Sequence, residues 1–143
     1  MPTLHIEDTA AAGEGVGRLP DGRVAFVPNT WPGDRVEVCL TKSNKRWCRG
    51  EVTELLEPSP NRHHNSPCAH PTCGGCNWKN FALVSQQSQK EQRVRAIFER
   101  LANIRLSYLP LHTAAEGAWG LRHRVRLHSQ RADAWQFGFY ARA

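Results

Sequence analysis

Residues 13–40 read GEGVGRLPDGRVAFVPNTWPGDRVEVCL, and this stretch decides the fold of the first part of the chain. Short apolar runs alternate here with turn signals such as Asp21-Gly22, and no helical period is present. Further strand-like runs lie on either side, at Leu4-His5-Ile6 and at Trp47–Leu56. Several short strands at near-regular spacing predict a small five-stranded barrel over residues 1–57.

The charge of the chain is unevenly distributed. The 143 residues carry a net charge of +6, but residues 1–57 hold 7 Lys/Arg and 9 Asp/Glu, whereas residues 58–143 hold 12 and 4. A basic later part favours an anionic partner, most simply nucleic acid, and a solvated basic surface is the alternative. No apolar run approaches the roughly 20 residues that span a bilayer, and no signal peptide is visible. We therefore expect a cytoplasmic protein without a membrane partner. We also expect it to be a monomer.

A basic group marks the predicted hairpin between the last two strands of the barrel. Basic side chains hold phosphates, and an aromatic ring can stack on a base. We predict that Lys42, Lys45 and Arg46 contact RNA. For Trp47 the favoured interpretation is a core position, because a strand tryptophan usually packs inward.

Three of the five cysteines lie in Cys68-Ala-His-Pro-Thr-Cys73-Gly-Gly-Cys76. Thiolates are soft ligands that suit zinc or iron–sulfur centres. Three thiolates are an incomplete set, because a [4Fe–4S] cluster or a closed zinc site usually takes four protein ligands. A nearby histidine could complete a zinc site, although a solvent-exposed loop histidine is the favoured interpretation for each of His63, His64 and His70. Cys39 and Cys48 sit singly in strand-like runs and are predicted to be buried.

We predict that residues 58–80 form a linker with the cysteine loop. We predict that residues 81–143 form a helix followed by the start of a β domain. Val94, Ile97, Phe98 and Leu101 follow the period of one apolar face in a helix over 81–103. Residues 121–128 alternate with period two and predict a strand with arginines on one face. Three like charges on one face repel one another, which lowers stability unless an anion lies there. Arg can bind phosphate with two hydrogen bonds. The predicted RNA-binding residues in this stretch are Arg122, Arg124 and Arg126. Trp135, Phe137 and Phe139 predict the apolar face of a second strand.

The first 57 residues resemble a TRAM domain, an RNA-binding module of oligonucleotide-barrel type. The resemblance is carried by Gly13-Glu14-Gly15-Val16-Gly17, by Phe26-Val27-Pro28 and by Pro32-Gly33-Asp34. With the Cys-Gly-Gly-Cys element behind it, the chain resembles the RNA 5-methyluridine methyltransferases, which use S-adenosylmethionine (SAM) to methylate uracil C5 in large-subunit ribosomal RNA.

The resemblance implies roles for the cysteines and limits on the activity. Cys68, Cys73 and Cys76 would ligate a [4Fe–4S] cluster, with a fourth cysteine expected beyond residue 143. The SAM-binding domain and the catalytic residues of the family have no counterpart in these residues, so the chain is expected to be a non-catalytic part, inactive alone. Its RNA partner would be ribosomal.

Two other interpretations stay open on the sequence alone. One is a stand-alone RNA-binding protein in which the barrel works without a catalytic domain. The other is a zinc-stabilised interaction module, in which the three clustered cysteines and one histidine hold the metal.

Overall fold

The computed structural model of the chain describes residues 1–63, 68, 70, 73–107, 119 and 123–140. The chain divides into two compact units, residues 1–67 with 77–81, and residues 68–76 with 82–143. In the described ranges, no helix combines the length and the apolar character needed to cross a membrane. The elements are β1 (Thr3–Thr9), β2 (Gly15–Arg18), β3 (Val24–Val27), β4 (Arg35–Ser43), β5 (Trp47–Glu57), α1 (Leu83–Ala102), β6 (His128–Arg131) and β7 (Trp135–Gly138). The predicted fold class, mainly β with one long helix, is confirmed.

The first unit is a closed barrel with the strand order β1-β2-β3-β5-β4. Neighbouring strands are antiparallel except β3 and β5, which pair in parallel and complete the ring together with the β1–β4 pairing. The long β4–β5 hairpin contains three register shifts. Such bulges bend and twist a strand, which a sheet of only five strands needs in order to close on itself.

The barrel interior is filled by the alternate residues of each strand. Leu4 and Ile6 of β1, Ala25 and Val27 of β3, and Val36 and Val38 of β4 are all at most 1% exposed. Period-two alternation sends the residues between them to the outer face. Because one face is buried, the apolar pattern also specifies the register of each strand.

Gly15 is required by a close approach inside the barrel. A Cβ atom at Gly15 would lie 1.9 Å from Thr30 Oγ1, and that hydroxyl donates a hydrogen bond to the Val27 carbonyl in the buried interior. The Thr30 hydroxyl cannot move away from position 15 without breaking its hydrogen bond to Val27. Gly15, within the glycine-rich run at residues 13–17, therefore has a packing reason.

Asp34 fastens the end of the barrel strand β5 to the turn before β4. Its carboxylate is fully buried and accepts backbone hydrogen bonds from Trp31 (2.7 Å) and Ser59 (2.8 Å). The Arg62 guanidinium adds two more, from Nε (2.7 Å) and Nη2 (2.6 Å). Residues 59–62, within the predicted linker, are thus held against the barrel by a bidentate ion pair.

Residues 77–81 also belong to the barrel unit, through aromatic contacts. The Phe81 ring stacks on Trp31 at 4.0 Å between centroids, and Trp78 meets Trp31 edge-on at 5.1 Å. The Trp78 indole donates a hydrogen bond to the Gly13 carbonyl, and the Asn77 amide donates one to Ala12. The chain therefore leaves the barrel, forms the cysteine segment, and returns to it.

The helix α1 is confirmed within two residues of its predicted bounds. It ends at Asn103, which adopts a left-handed conformation (φ 54°) and donates its backbone N–H to Glu99, while the N–H of Ile104 returns to Phe98. This pattern is a common helix stop, for which Asn is the usual alternative to Gly. No residue of α1 is buried, so its predicted apolar face is partly exposed.

The strand predicted over residues 121–128 is wrong where the structure describes it. Residues 123–127 are not in a strand, and β6 begins only at His128. Among the residues that the structure describes, 123–127 lack a pairing strand, because β7 ends at Gly138, which lies opposite His128. The next residue, Phe139, lies against Gly75, so nothing pairs with residues 124–127 in the described part of the sheet.

The two single cysteines of the barrel have opposite environments. Cys48 is fully buried, as predicted, and burial raises the pKa of its thiol. Cys39 is exposed, so its predicted burial is wrong. It follows Val38 in β4, and the same alternation that buries Val36 and Val38 turns Cys39 outward.

Candidate nucleic-acid interface and cysteine turn

A cationic cluster, Lys42, Lys45 and Arg46, lies at the turn between β4 and β5. All three side chains are exposed. In the ranges that the structure describes, none of the three is paired with a carboxylate. The turn itself is held by the backbone, since Asn44 N–H donates to Trp47 and Val24 N–H donates to Arg46. The sequence prediction of a basic hairpin is thus matched by three cations whose charge is available to an anion.

Two aromatic rings stand beside the cationic cluster on the outer face of the barrel. Trp47 and Phe26 meet edge-to-face with 6.2 Å between ring centroids, and the Lys42 ammonium lies 5.7 Å from the Trp47 centroid. The favoured interpretation of Trp47 as a core residue is wrong, because Cys48 takes the inward position in β5. Trp47 is instead half-buried.

The neighbouring arginines of this face are already neutralised. Arg23 pairs with Asp21 at 2.7 Å, and Arg49 pairs with Glu14 at 3.1 Å. The hydrogen bond from Arg23 holds the pKa of Asp21 below its usual range. The positive potential of this face therefore comes mainly from the cationic cluster at the hairpin tip.

In the second unit, Arg124 and Arg126 are exposed and precede β6. Neither is paired with a carboxylate in the part of the chain that the structure describes. Arg122, the third predicted member of this group, lies outside the described residues. The RNA-binding role assigned to these arginines stays a prediction.

The cysteine turn, residues 73–76, is tied to the end of β7. Gly74 N–H donates to the Tyr140 carbonyl at 3.0 Å. The Phe139 ring lies over Gly75 so closely that a Cβ there would be 3.1 Å from it. A side chain at position 75 would therefore require the Phe139 ring to move by a few tenths of an ångström.

Two of the three sulfurs of the predicted metal centre make separate hydrogen bonds. Cys73 Sγ accepts a hydrogen bond from Gly75 N–H at 3.4 Å, and Cys68 Sγ lies 3.9 Å from the His70 carbonyl, to which its thiol donates. Three thiols are the donor type that zinc and iron–sulfur centres take. Within the described residues, however, no group of three His, Cys, Asp or Glu side chains is arranged to hold a metal ion. The donor chemistry fits, whereas the sulfurs are not gathered around one centre.

Sequence reasoning missed two features of the barrel. The outward position of Trp47 and Phe26 follows from alternation with Cys48, Ala25 and Val27, and that signal was available. The pairing of Asp34 with Arg62 had no such signal, because the two residues are 28 positions apart and meet only in the folded chain.

The first part of the chain, the barrel, matches a known domain family. Residues 3–53, which include all of β1 to β4 and part of β5, match the family model of the TRAM domain. The barrel is therefore a TRAM domain, an RNA-binding module, and the predicted resemblance is confirmed.

Relatives extend the match over most of the chain. An uncharacterised RNA methyltransferase of Thermosynechococcus vestitus is 37% identical over 85% of this chain and 27% of its own length. The 23S rRNA (uracil(1939)-C(5))-methyltransferase RlmD of Pectobacterium atrosepticum is 34% identical over 91% of this chain and 30% of its own. An uncharacterised RNA methyltransferase of Bdellovibrio bacteriovorus is 34% identical over 97% and 34%. The chain thus spans about a quarter to a third of the length of these relatives. It carries a TRAM domain and is similar, over most of its length, to the corresponding part of these RNA methyltransferases.

Proposed function

We propose that this chain is the RNA-binding part of a SAM-dependent RNA uracil-C5 methyltransferase that acts on ribosomal RNA. The observation that carries the proposal is the cationic cluster of the TRAM barrel, whose three charges are available beside the half-buried Trp47. Barrels of this type bind oligonucleotides on one strand face and its adjoining loops. The target base and the ribosomal substrate are supported by the name of a relative such as the Pectobacterium enzyme. No residue of this chain is assigned to methyl transfer.

RNA binding by the barrel is tested by removing the charges of the cationic cluster. The triple variant Lys42→Ala, Lys45→Ala, Arg46→Ala should weaken binding to single-stranded RNA. Each phosphate contact adds about 0.7 to the slope of log affinity against log salt for single strands, so the slope should fall by about 2. Arg35→Ala is the matched control, because Arg35 is an exposed barrel arginine already paired with Glu57 at 2.6 Å. Equal salt slopes for the triple variant and the unchanged chain would contradict the proposal.

The ribosomal substrate has its own test. Unmodified large-subunit ribosomal RNA should compete for the chain better than an equal mass of transfer RNA. Competition that does not distinguish the two RNAs would remove the support for a ribosomal target, while leaving RNA binding itself in place. We further propose that the protein acts in the cytoplasm and that it is a monomer. Light scattering with and without RNA would check the monomer.

The proposal includes a [4Fe–4S] cluster held by Cys68, Cys73 and Cys76 with a fourth ligand not yet assigned. It is supported by the presence of three soft donors within nine residues of the sequence and by the tight turn at Gly74 and Gly75, which an N–H···S hydrogen bond stabilises. Because methyl transfer from SAM to uracil needs no electron, the cluster would serve to hold the cysteine segment in place.

Anaerobic purification followed by iron, sulfide and zinc analysis tests the cluster. Iron and sulfide in equal amounts, with broad visible absorption, would support it, and both should be lost in Cys73→Ser. Cys39→Ser is the matched control, because Cys39 is an exposed cysteine of the barrel. Colourless protein with one zinc ion would instead favour a zinc-stabilised module.

A further inference from the structure

The β6–β7 hairpin exposes an aromatic surface that the proposed barrel interface does not use. Trp135 and Phe137 of β7 are 61% and 67% exposed. Their rings are nearly parallel, with 23° between planes and 6.4 Å between centroids. A small hairpin that left two large rings in water would lose much of the stabilisation that aromatic burial provides.

One face of the hairpin carries both rings and a cation. Arg131 lies directly opposite Trp135 in the sheet, and Ser129 lies opposite Phe137. Residues opposite one another in an antiparallel pair share a face, and so do residues two apart in a strand. The Arg131 guanidinium accordingly lies 5.9 Å from the Trp135 ring centroid. Arg131, Trp135 and Phe137 form one surface, which we call the hairpin platform.

The charge around the hairpin platform indicates what would cover it. Residues 123–140 include three arginines and one acidic residue, Asp133. Arg124, Arg126 and Arg131 have no carboxylate partner in the described part of the chain. An apolar protein surface would cover the rings but would leave these cations without counter-charge. A single strand of nucleic acid offers both components, since its unpaired bases stack on aromatic rings and its phosphates pair with arginine.

We propose that the hairpin platform is a second RNA-binding surface, on which unpaired bases stack against Trp135 and Phe137 while Arg131 and its neighbours hold phosphates. The inference rests on the proposed RNA-binding function and adds that the RNA is single-stranded where it meets this unit. Base-paired RNA would be bound less well, because paired bases cannot present their faces to a side chain.

The test measures affinity of the full chain for a fluorescently labelled single-stranded RNA of about 16 nucleotides, the upper site size of an oligonucleotide barrel. Trp135→Leu and Phe137→Leu keep an apolar side chain but remove the aromatic face. Each should weaken binding roughly 5-fold or more, the scale of one lost base stack. Trp135→Phe should retain most of the affinity, and the same RNA annealed to its complement should bind more weakly than the single strand. Trp119→Leu is the matched control, because Trp119 is another exposed tryptophan of this unit, at 50%.

Three outcomes would overturn the inference. They are unchanged affinity in both leucine variants, an equal loss in Trp119→Leu, and equal binding of single-stranded and annealed RNA. Concentration-dependent dimerisation that the leucine variants abolish, with RNA affinity unchanged, would assign the platform to a second copy of the chain. The barrel proposal fails separately, since its own test is the salt slope of the cationic-cluster variant. Loss of affinity in the hairpin variants alone would then leave this platform as the RNA-binding surface.

Discussion

Replacing Asp34 by alanine should destabilise the barrel more than any exposed charge on it. The buried carboxylate accepts four hydrogen bonds, two from backbone N–H groups and two from Arg62, whose side chain is only 14% exposed. Removing one partner of a buried ion pair costs about 3–5 kcal/mol, because the remaining charge stays buried without compensation. The barrel unit, residues 1–67 with 77–81, should have a total stability of only about 4–11 kcal/mol at about 0.05–0.15 kcal/mol per residue. Asp34→Ala therefore approaches the limit of folding.

Asp34→Asn makes the measurement possible if the alanine variant does not fold. The amide keeps the volume of the side chain and one acceptor oxygen, but it loses the charge. Its NH2 group would also face two N–H donors, one from the backbone and one from Arg62. Its expected effect is about 2–3 kcal/mol, the scale of one hydrogen bond to a charged group. Urea unfolding followed by tryptophan fluorescence and by circular dichroism gives both values, and the denaturant slope should stay unchanged.

Glu57→Ala is the control for this prediction, because the Arg35–Glu57 pair is exposed on both sides. Exposed pairs contribute about 0–1 kcal/mol. In the double variant Asp34→Ala, Arg62→Ala the loss should be smaller than the sum of the two single losses, because neither charge is left alone. An Asp34→Ala effect no larger than that of Glu57→Ala would refute the view that this pair fastens residues 59–62.

The other predictions concern side chains whose environments differ sharply. Phe81→Ala should destabilise the barrel unit by about 3–5 kcal/mol because it removes a buried ring, whereas Phe98→Ala, at a position 43% exposed, should have a much smaller effect in the same urea titration. Thiol labelling of the folded chain, followed by peptide mass spectrometry, should modify Cys39 rapidly and Cys48 only on unfolding. Burial raises the pKa of the Cys48 thiol and keeps the reagent from reaching it. Equal labelling rates of the two cysteines would contradict this. Asn103→Val should lower stability by about 1–2 kcal/mol while Asn103→Gly should not, since the left-handed conformation is strained for residues other than Gly and, to a lesser degree, Asn and Asp; unfolding midpoints of the two variants decide it.

Much of the barrel could be predicted because its information is local. Strand alternation, the Asp21-Gly22 turn and the Pro32-Gly33-Asp34 turn each act over a few residues, so the sequence placed all five barrel strands. The helix was placed equally well, since its period spans many residues. The strand predicted at 121–128 failed for a non-local reason, because a strand needs a partner and β7 ends at Gly138.

The candidate sites divide in the same way. The basic character of the β4–β5 turn is a property of the sequence, but its availability depends on which arginines meet a carboxylate in the folded chain. Arg49 is neutralised by Glu14 from 35 residues away, while the cationic cluster has no such partner in the described ranges. The outward face of Trp47 could have been deduced from alternation with Cys48, although its contact with Phe26 could not.

By itself, the sequence determined the barrel, the helix, the basic hairpin and the three soft donors, because each is written in residues close together along the chain. Only the tertiary structure decided that Asp34 holds Arg62, that Trp31 is covered by Trp78 and Phe81, and that Phe139 lies over Gly75. These contacts join residues tens of positions apart, and their partners are selected by three-dimensional packing and burial. Local pattern therefore gives the elements of this protein, whereas the contacts that fasten them depend on where the folded chain brings distant side chains together.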